Sequence, residues 1–350
     1  MKKSYLFFAL AISLAVLTLS CAGKSRSRLT IYTWEEMFPQ EILDGFEAET
    51  GIAINYVNFD TDETMLTKLR SARGGDYDLV IADDYIIEVA VSENLVQRLD
   101  KSKLSNYNNI NPVYLKPFYD PYDEYTVPYG SGVQTIVYDP AQTGSRTITG
   151  FVDLWDPVFR SRVGVTANPR VVNGIALKVL GKSYNEDDVE IIGIAGKLML
   201  QLAPNIRLIK DDRLDEDLLS GEIAVGVMYT DQATRAMMAN PQLKMVFPAE
   251  GIGYGPMAAF IPSRAPNAEA AHAFLNYILD AQRGAACFEH LGYYCTYIAS
   301  EPLIAPEYRA FLTLPPGFDT GSMETLRTIS QEAEEEHGRT WTAFKQAAGH

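Results

Sequence analysis

The sequence predicts an α/β protein of two lobes, each built on a central, mostly parallel sheet flanked by helices, with a ligand cleft between the lobes. Three observations carry that expectation. From Leu29 onward, short apolar and β-branched runs alternate with amphipathic helical segments. A strand–helix–strand series needs crossover connections, which run the strands parallel and bury them on both faces. The chain has 350 residues, 47% of them hydrophobic, enough for two cores, and no low-complexity linker separates two beads. The chain therefore crosses between its lobes more than once.

The elements follow in order. Leu29-Thr30-Ile31-Tyr32 predicts a first strand. Pro39 opens a helix over Gln40 to Thr50, with Ile42, Leu43 and Phe46 on one face and Gly51 as its stop. Ile52 to Phe59 predicts a second strand. Asp60 and Glu63 frame a capping box for a helix over Glu63 to Ala72, which Gly74-Gly75 ends. Tyr77 to Ala82 supplies a third, apolar strand. Ligands of such sheets gather at the carboxyl ends of the strands, where Trp34-Glu35-Glu36 and Asp83-Asp84-Tyr85 stand.

The middle of the chain repeats the theme. Strands are expected at Val163 to Thr166, Ile206 to Ile209 and Ile223 to Tyr229, and helices at Val171 to Leu180, Val189 to Leu202 and Gln232 to Ala239. An aromatic and an acid again follow a buried strand, in Tyr229-Thr230-Asp231. Met245 to Pro248 and Met257 to Ile261 read as strands, Ala268 to Phe288 as one long helix, and the acid-rich tail through Glu332 to Glu336 as helical. Crossings fall near Tyr129 to Val133, Gly251 to Gly255 and Tyr297 to Glu301, where glycine and tyrosine suit hinges. They divide the chain into a first lobe of 29–131 plus 254–300 and a second of 132–253 plus 301–350.

Residues 1–20 stand apart from the fold. Lys2 and Lys3 precede an apolar run from Tyr5 to Leu19 that is short for a spanning helix and ends in Ser20-Cys21-Ala22-Gly23, the pattern of a signal peptide. Cys21, followed by a polar stretch to Arg28, resembles a bacterial lipoprotein cleavage site, although Thr18 stands where a branched apolar residue is usual. The expectation is export, lipidation of Cys21 and an anchored linker over 21–28. Two cysteines remain, Cys287 and Cys295, with seven residues between them; a disulfide and two buried thiols both fit that spacing in an export compartment.

Charge and motifs exclude several functions. Lys and Arg number 30 against 45 Asp and Glu, for a net charge of −15, the opposite of the basic field that nucleic acid requires. Removing residues 1–20 takes away two lysines and no acid, which makes the chain more acidic still. Three cysteines and four histidines are too scattered for a soft-metal site, and no cofactor is expected. His-Glu-x-x-His, the phosphate-loop lysine motif and Gly-x-Ser-x-Gly are all missing from the sequence. Gly251-Ile252-Gly253-Tyr254-Gly255 resembles half a dinucleotide loop, but Pro256 and strand-like residues follow where a helix must begin, so it reads as a turn. His272 and His290 read as packing or solvent-facing residues. The constellation with chemistry is the acid-plus-aromatic one at three strand ends. Its natural guest is an organic cation, since carboxylates give charge-assisted hydrogen bonds to an ammonium while indole and phenol faces attract the charge and cover its methylenes.

The series Ile31-Tyr32-Thr33-Trp34-Glu35-Glu36, Phe46 to Ile52, Glu63-Thr64-Met65, Tyr77-Asp78-Leu79-Val80 and Leu99 to Leu104 continues in Val127-Pro128-Tyr129, Asp153-Leu154-Trp155, Ser220-Gly221-Glu222, Phe274 to Tyr277 and Leu291-Gly292-Tyr293. In this order it resembles the bacterial spermidine/putrescine-binding proteins over nearly the whole chain after the leader. The resemblance implies a two-lobed periplasmic binding protein fold, type II-like, and the role of an extracytoplasmic receptor that delivers a polyamine to an ABC permease. It implies that Trp34, Glu36, Tyr85, Tyr229, Tyr254 and Tyr293 face the cleft, and that Asp231 stands where putrescine-preferring members carry a ligand acid. Asp83 occupies a position often filled by serine. Asn168, Val171 and Pro256 stand where relatives carry acids, a loss that favours a shorter guest and that Asp83 and Asp231 can offset.

Two rivals keep part of this reading. A receptor for an amino acid or another organic cation would need a buried arginine for a ligand carboxylate, and Arg170 and Arg235 are the candidates. A secreted enzyme would use paired carboxylates such as Asp83 with Asp231, yet no nucleophile or cofactor motif accompanies them.

Overall fold

The computed structural model of the protein describes residues 27–144, 146–314 and 323–350. The expected signal peptide and Cys21 lie outside the described residues. The chain opens with β1 (Arg28–Thr33), α1 (Gln40–Thr50), β2 (Ala53–Asn58), α2 (Asp62–Ser71) and β3 (Leu79–Asp83), the series expected. β1 runs parallel to both neighbours, with Ile31 opposite Tyr56 and Leu79. The start of α2 differs from the expected Asp60/Glu63 box. Thr61 is the N-cap, and its hydroxyl accepts from the Thr64 amide at 3.2 Å. A threonine there already satisfies the orphan N–H, which leaves Asp62 free to turn inward, where it is 6% exposed.

β3 runs into α3 (Asp84–Ser92) with no intervening loop. The next strand, β4 (Thr126–Tyr138), is buried along all 13 residues. Over Thr126 to Val133 it pairs antiparallel with β9 (Tyr254–Phe260), and over Gln134 to Tyr138 with β7 (Val225–Tyr229). A register shift between Pro128 and Ser131, with Gly130 at φ 81°, bends it on the way. This strand joins two half-sheets into the order β2-β1-β3-β9-β4-β7-β5-β6, where β5 is Val163–Val165 and β6 is Ile206–Ile209. β8 (Lys244–Val246) pairs with β4. Each outer trio is parallel and the centre is antiparallel.

The second half carries α4 (Pro169–Val179), α5 (Val189–Leu202), α6 (Leu214–Ser220) and α7 (Thr230–Ala239); α8 (Ala268–Ile278), α9 (Ala281–Leu291), α10 (Pro306–Leu312) and α11 (Gln331–Ala348) follow. The single helix expected over Ala268 to Phe288 is two helices. Asp280 leaves the helical conformation at ψ 137° and its carboxylate accepts from the Gln282 and Arg283 amides, which starts α9 afresh. Asn168, one of the positions without the expected acid, caps α4 by accepting from the Arg170 and Val171 amides.

Two sets of cores flank the sheet. In the first half, Ile31, Phe46, Leu79, Phe274, Phe288 and Tyr297 pack together with Ile304 and Leu312. In the second, Val163, Ile175, Met199, Val227, Trp341 and Phe344 do the same, so the acidic tail helix docks its apolar stripe on α5. A Cβ at Gly196 of α5 would lie 2.3 Å from the Thr340 methyl, which shows how closely the two helices approach. Cys287 and Cys295 are both buried free thiols, and Cys295 donates to the Tyr297 carbonyl at 3.3 Å. The open question of a disulfide is answered by thiols.

Arg170, one of the two arginines weighed for a ligand carboxylate, is buried and ion-paired with Glu334, and also donates to Asn185 at 3.2 Å. It ties α4 to α11. Beside it His337 is 1% exposed, and its Nδ1 accepts from the Asn173 amide at 3.2 Å. Burial first, and the Arg170 charge second, lower its pKa to about 4. A histidine whose folded pKa is depressed contributes stability that is full above its unfolded pKa of about 6.5 and declines as pH falls toward 4. At about 1.36 kcal/mol per unit, roughly 3 kcal/mol is lost across that window. Denaturant melts from pH 7 to pH 4 should show the decline in wild type and a much shallower one in His337→Gln; equal slopes would contradict it.

Candidate functional site

The strand ends bring most of the expected residues together. β3 delivers Asp83 to the N-terminus of α3, with Asp84 and Tyr85 in the first turn. β7 delivers Tyr229 to the N-terminus of α7, with Asp231 in the first turn. β9 begins at Tyr254, and Tyr293 follows the left-handed Gly292 that ends α9. Asp84 is buried, and the other side chains of the group are half-buried.

Electrostatics locate them with respect to one another. Burial pushes up every phenol of the group, and the acids that reinforce the shift identify its neighbours. Tyr293 lies within the field of Asp231 from the second half and Asp83 from the first. Tyr229 feels Asp83, Asp211 and Asp84, and Tyr254 feels Asp84. Tyr85 lies beside Asp62, Glu63 and Asp83, and its hydroxyl donates to Glu63 at 2.9 Å. Tyr293 is thus the ring that feels both Asp83 and Asp231.

The acids differ in their own partners. Asp83 is raised to about 6, mainly by desolvation, and its carboxyl is within hydrogen-bonding reach of Asp62, which is itself held well above the usual carboxylate range by burial and by Asp83. Asp84 is raised by burial and then by Asp83; its Oδ1 accepts from the Tyr85 amide at 2.8 Å. Asp231 is raised by burial against the opposing pull of Arg235, which approaches it at 3.3 Å and Asp215 at 3.1 Å. Arg235, the second candidate for a ligand carboxylate, is shared between two protein acids.

Trp34 lies at the end of β1, half-buried, with its ring 4.9 Å from Phe59 in the cluster that also receives Tyr85 and contains Tyr119. Glu36 stands apart from the rest. It is exposed at φ 56°, its carbonyl meets His290 Nε2 at 2.8 Å, and its charge acts on Tyr56. His272, buried, bridges Ala268 and the Asp100 amide and serves packing, while His290 is exposed. Asp62 and Tyr119 belong to the group but escaped the sequence reading, and Asp84, placed at the strand end, was not singled out as a ligand. Asp62 was hidden by the capping signal around it, and Asp84 by its neighbour Asp83. Among the described residues no group of three or more metal-ligating side chains occurs, and no helix is long and apolar enough to cross a membrane.

Comparison with known proteins agrees with this architecture. Residues 41–307 match the family described as bacterial extracellular solute-binding protein. The spermidine/putrescine-binding periplasmic protein of Salmonella typhimurium is 32% identical over 312 residues, 89% of this chain and 90% of that protein. Its counterpart in Escherichia coli K12 is 30% identical over 320 residues, 91% of this chain and 92% of that protein. The crystal structure of the spermidine/putrescine ABC transporter substrate-binding protein PotD from Streptococcus pneumoniae superposes with a TM-score of 0.80 at 27% identity, covering 92% of this chain and 99% of that one. The fold is the two-lobed periplasmic binding protein fold, and the family is one of transport receptors rather than enzymes. With tyrosines and acids at the strand ends of two half-sheets joined by one long strand, the chain belongs to the bacterial extracellular solute-binding proteins.

Proposed function

We propose that the protein captures a polyamine, putrescine or spermidine, and delivers it to an ABC importer. The observation that carries this reading is the position of Tyr229 and Tyr293 within the fields of acids from both halves, Asp83 on one side and Asp231 or Asp211 on the other. A diamine fits such a pair of poles: an ammonium at each end and rings along the chain between them. Each methylene withdrawn from water contributes about 0.8 kcal/mol, so four contribute roughly 3 kcal/mol by the same rule. Desolvation of the two ammonium groups offsets much of the ion-pair gain, which leaves selectivity to the distance between the acid groups. The proposed ligand set is Trp34, Asp83, Tyr85, Tyr229, Asp231, Tyr254 and Tyr293, without Glu36, which lies apart from them beside His290 and Tyr56. The two arginines that an amino-acid guest would need are already occupied by Glu334, Asp215 and Asp231.

In this reading the lobes close about the β4 and Gly251–Gly255 crossings. We assign the segment through Leu312 to the first lobe, since Ile304 and Leu312 pack in its core. Residues 1–20 act as the export signal and a lipid on Cys21 holds the receptor at the membrane; mass spectrometry of the purified N-terminus tests that assignment.

Titration calorimetry with putrescine, spermidine, basic amino acids and sugars tests the function. Both polyamines should bind at micromolar concentration, and failure of both overturns the proposal. Trp34→Ala and Asp231→Asn should each weaken polyamine binding roughly tenfold or more, the range of a lost ring face or charge-assisted hydrogen bond, with melting temperature unchanged. Wild-type affinity in both would mean that the ligand binds elsewhere.

A further inference from the structure

Residues 325–330 form neither helix nor strand, yet the second half ties them down. Just before them the Glu324 carboxylate takes Lys178 Nζ and Ser183 Oγ, each at 2.6 Å. Asn185 donates to the Thr325 carbonyl and accepts from the Arg327 amide, both at 2.8 Å, and Asp187 accepts from the Ser330 amide at 2.7 Å. α11 then begins and packs in the second core. From a backbone held in this way, two side chains reach the first half. The Arg327 guanidinium lies 4.7 Å over the Phe118 ring, which packs on the first-half cluster beside Tyr119. The Thr328 hydroxyl and amide donate to Glu88 Oε2 of α3 at 2.9 and 3.2 Å.

We infer that residues 324–330 are a latch between the lobes: Arg327 on Phe118 and Thr328 on Glu88 hold the receptor closed and raise the closed fraction of the empty protein. The inference rests on the lobe closure proposed above and not on the identity of the guest. The strap starts at the Gly251–Gly255 crossing, where Glu324 bridges Gly253 and its carbonyl accepts from the Tyr254 amide at 2.9 Å. Thr328 lies four residues further on, up to about 13 Å of extended chain. Contacts at a hinge survive rotation of one lobe against the other, whereas contacts that bridge the lobes away from it must break. Arg327 and Thr328 are exposed, so water replaces their partners as the lobes part, and the latch stays weak enough to release. A guest held by both lobes binds in proportion to the closed fraction. The latch thus tunes affinity through four residues that belong to no part of the proposed ligand set.

Dipolar spectroscopy on the purified, ligand-free protein tests it, with spin labels at Ser92 of α3 and at Lys182, two exposed positions that flank the strap on its two sides. Wild type should show a short-distance population. Arg327→Ala and Phe118→Leu should each raise the ratio of long to short distances roughly 2- to 5-fold, the range of one exposed cation–π contact. Phe118→Tyr keeps a ring face and should match wild type. Arg327→Ala and Phe118→Leu combined should shift the ratio no further than either alone, since they remove one contact, and Thr328→Val should add a shift of its own. Calorimetry on the same variants should show putrescine binding weakened by no more than the same factor. No short-distance population in wild type, an unchanged ratio in both single variants, or full additivity of the pair overturns the latch. No polyamine binding by wild type overturns the polyamine reading alone, because the distances need no ligand.

Discussion

Truncation of Tyr293 to alanine is expected to lower the affinity for putrescine about 100-fold and to leave the fold intact. The ring is half-buried and lies in the fields of both Asp231 and Asp83, so in the proposed site it would cover the middle of a guest stretched between them. A cation facing a desolvated ring gains about 1–2 kcal/mol, and two methylenes covered by it add roughly 1.6 kcal/mol. Together these approach the ~2.8 kcal/mol that corresponds to 100-fold. The ring is held by an absence on β4: a Cβ at Gly132 would lie 3.0 Å from Tyr293 Cε1. Gly132→Val should therefore push the ring aside and reproduce much of the loss while Tyr293 itself is untouched. Calorimetry on both variants checks this, and affinity within threefold of wild type in Tyr293→Ala contradicts it.

Substitution of Gly174 by valine is expected to have the largest effect on stability. A Cβ at this position of α4 would meet Tyr184 Cδ1 at 2.2 Å and Cε1 at 2.3 Å. Tyr184 is 1% exposed and cannot swing into solvent cheaply. Its hydroxyl donates to Gln134 Oε1 at 3.0 Å, where β4 passes into the second half-sheet, and its amide donates to Glu324 at 2.8 Å. Lys178 completes that corner with a 2.6 Å ion pair to Glu324. Displacing the ring breaks the polar contacts as well as the packing, at a cost of about 3 kcal/mol. For a chain of this size that lowers the melting temperature by roughly 5–10 °C. Thermal denaturation of Gly174→Val checks it, and a shift below 2 °C would contradict the packing described.

The parts of the fold that sequence reasoning reached are those where one physical signal dominates. Gln40–Thr50 and Val189–Leu202 carry a clear helical face and defined ends, and their bounds coincide with expectation. β4 escaped as a strand because Pro128, Gly130 and Gly132 read as hinge material. Tertiary pairing with β9 and β7 overrides that local preference, and the glycines prove to admit Met257 and Tyr293 side chains. The break at Asp280 was missed for the converse reason: a strong apolar periodicity on both sides masked one capping residue.

The site was legible as a pattern of acids beside rings at strand ends, since alternation of strand and helix fixes where those ends gather. Which acids are buried was not legible. Whether Asp62 faces solvent or Asp83 depends on one residue of capping register, set by the Thr61 hydroxyl. The partner of Asp231 lies one helical turn away, at Arg235, a spacing visible in the sequence that was weighed only for a ligand carboxylate.

A crystal structure of the protein with putrescine tests the central claim most directly. The expected result is a diamine lying in the cleft, with one ammonium within hydrogen-bonding distance of Asp84 or Asp83, the other near Asp231, and its methylenes against Tyr229 and Tyr293. A ligand bound elsewhere, or one in the cleft that touches none of these three acids, would contradict the account.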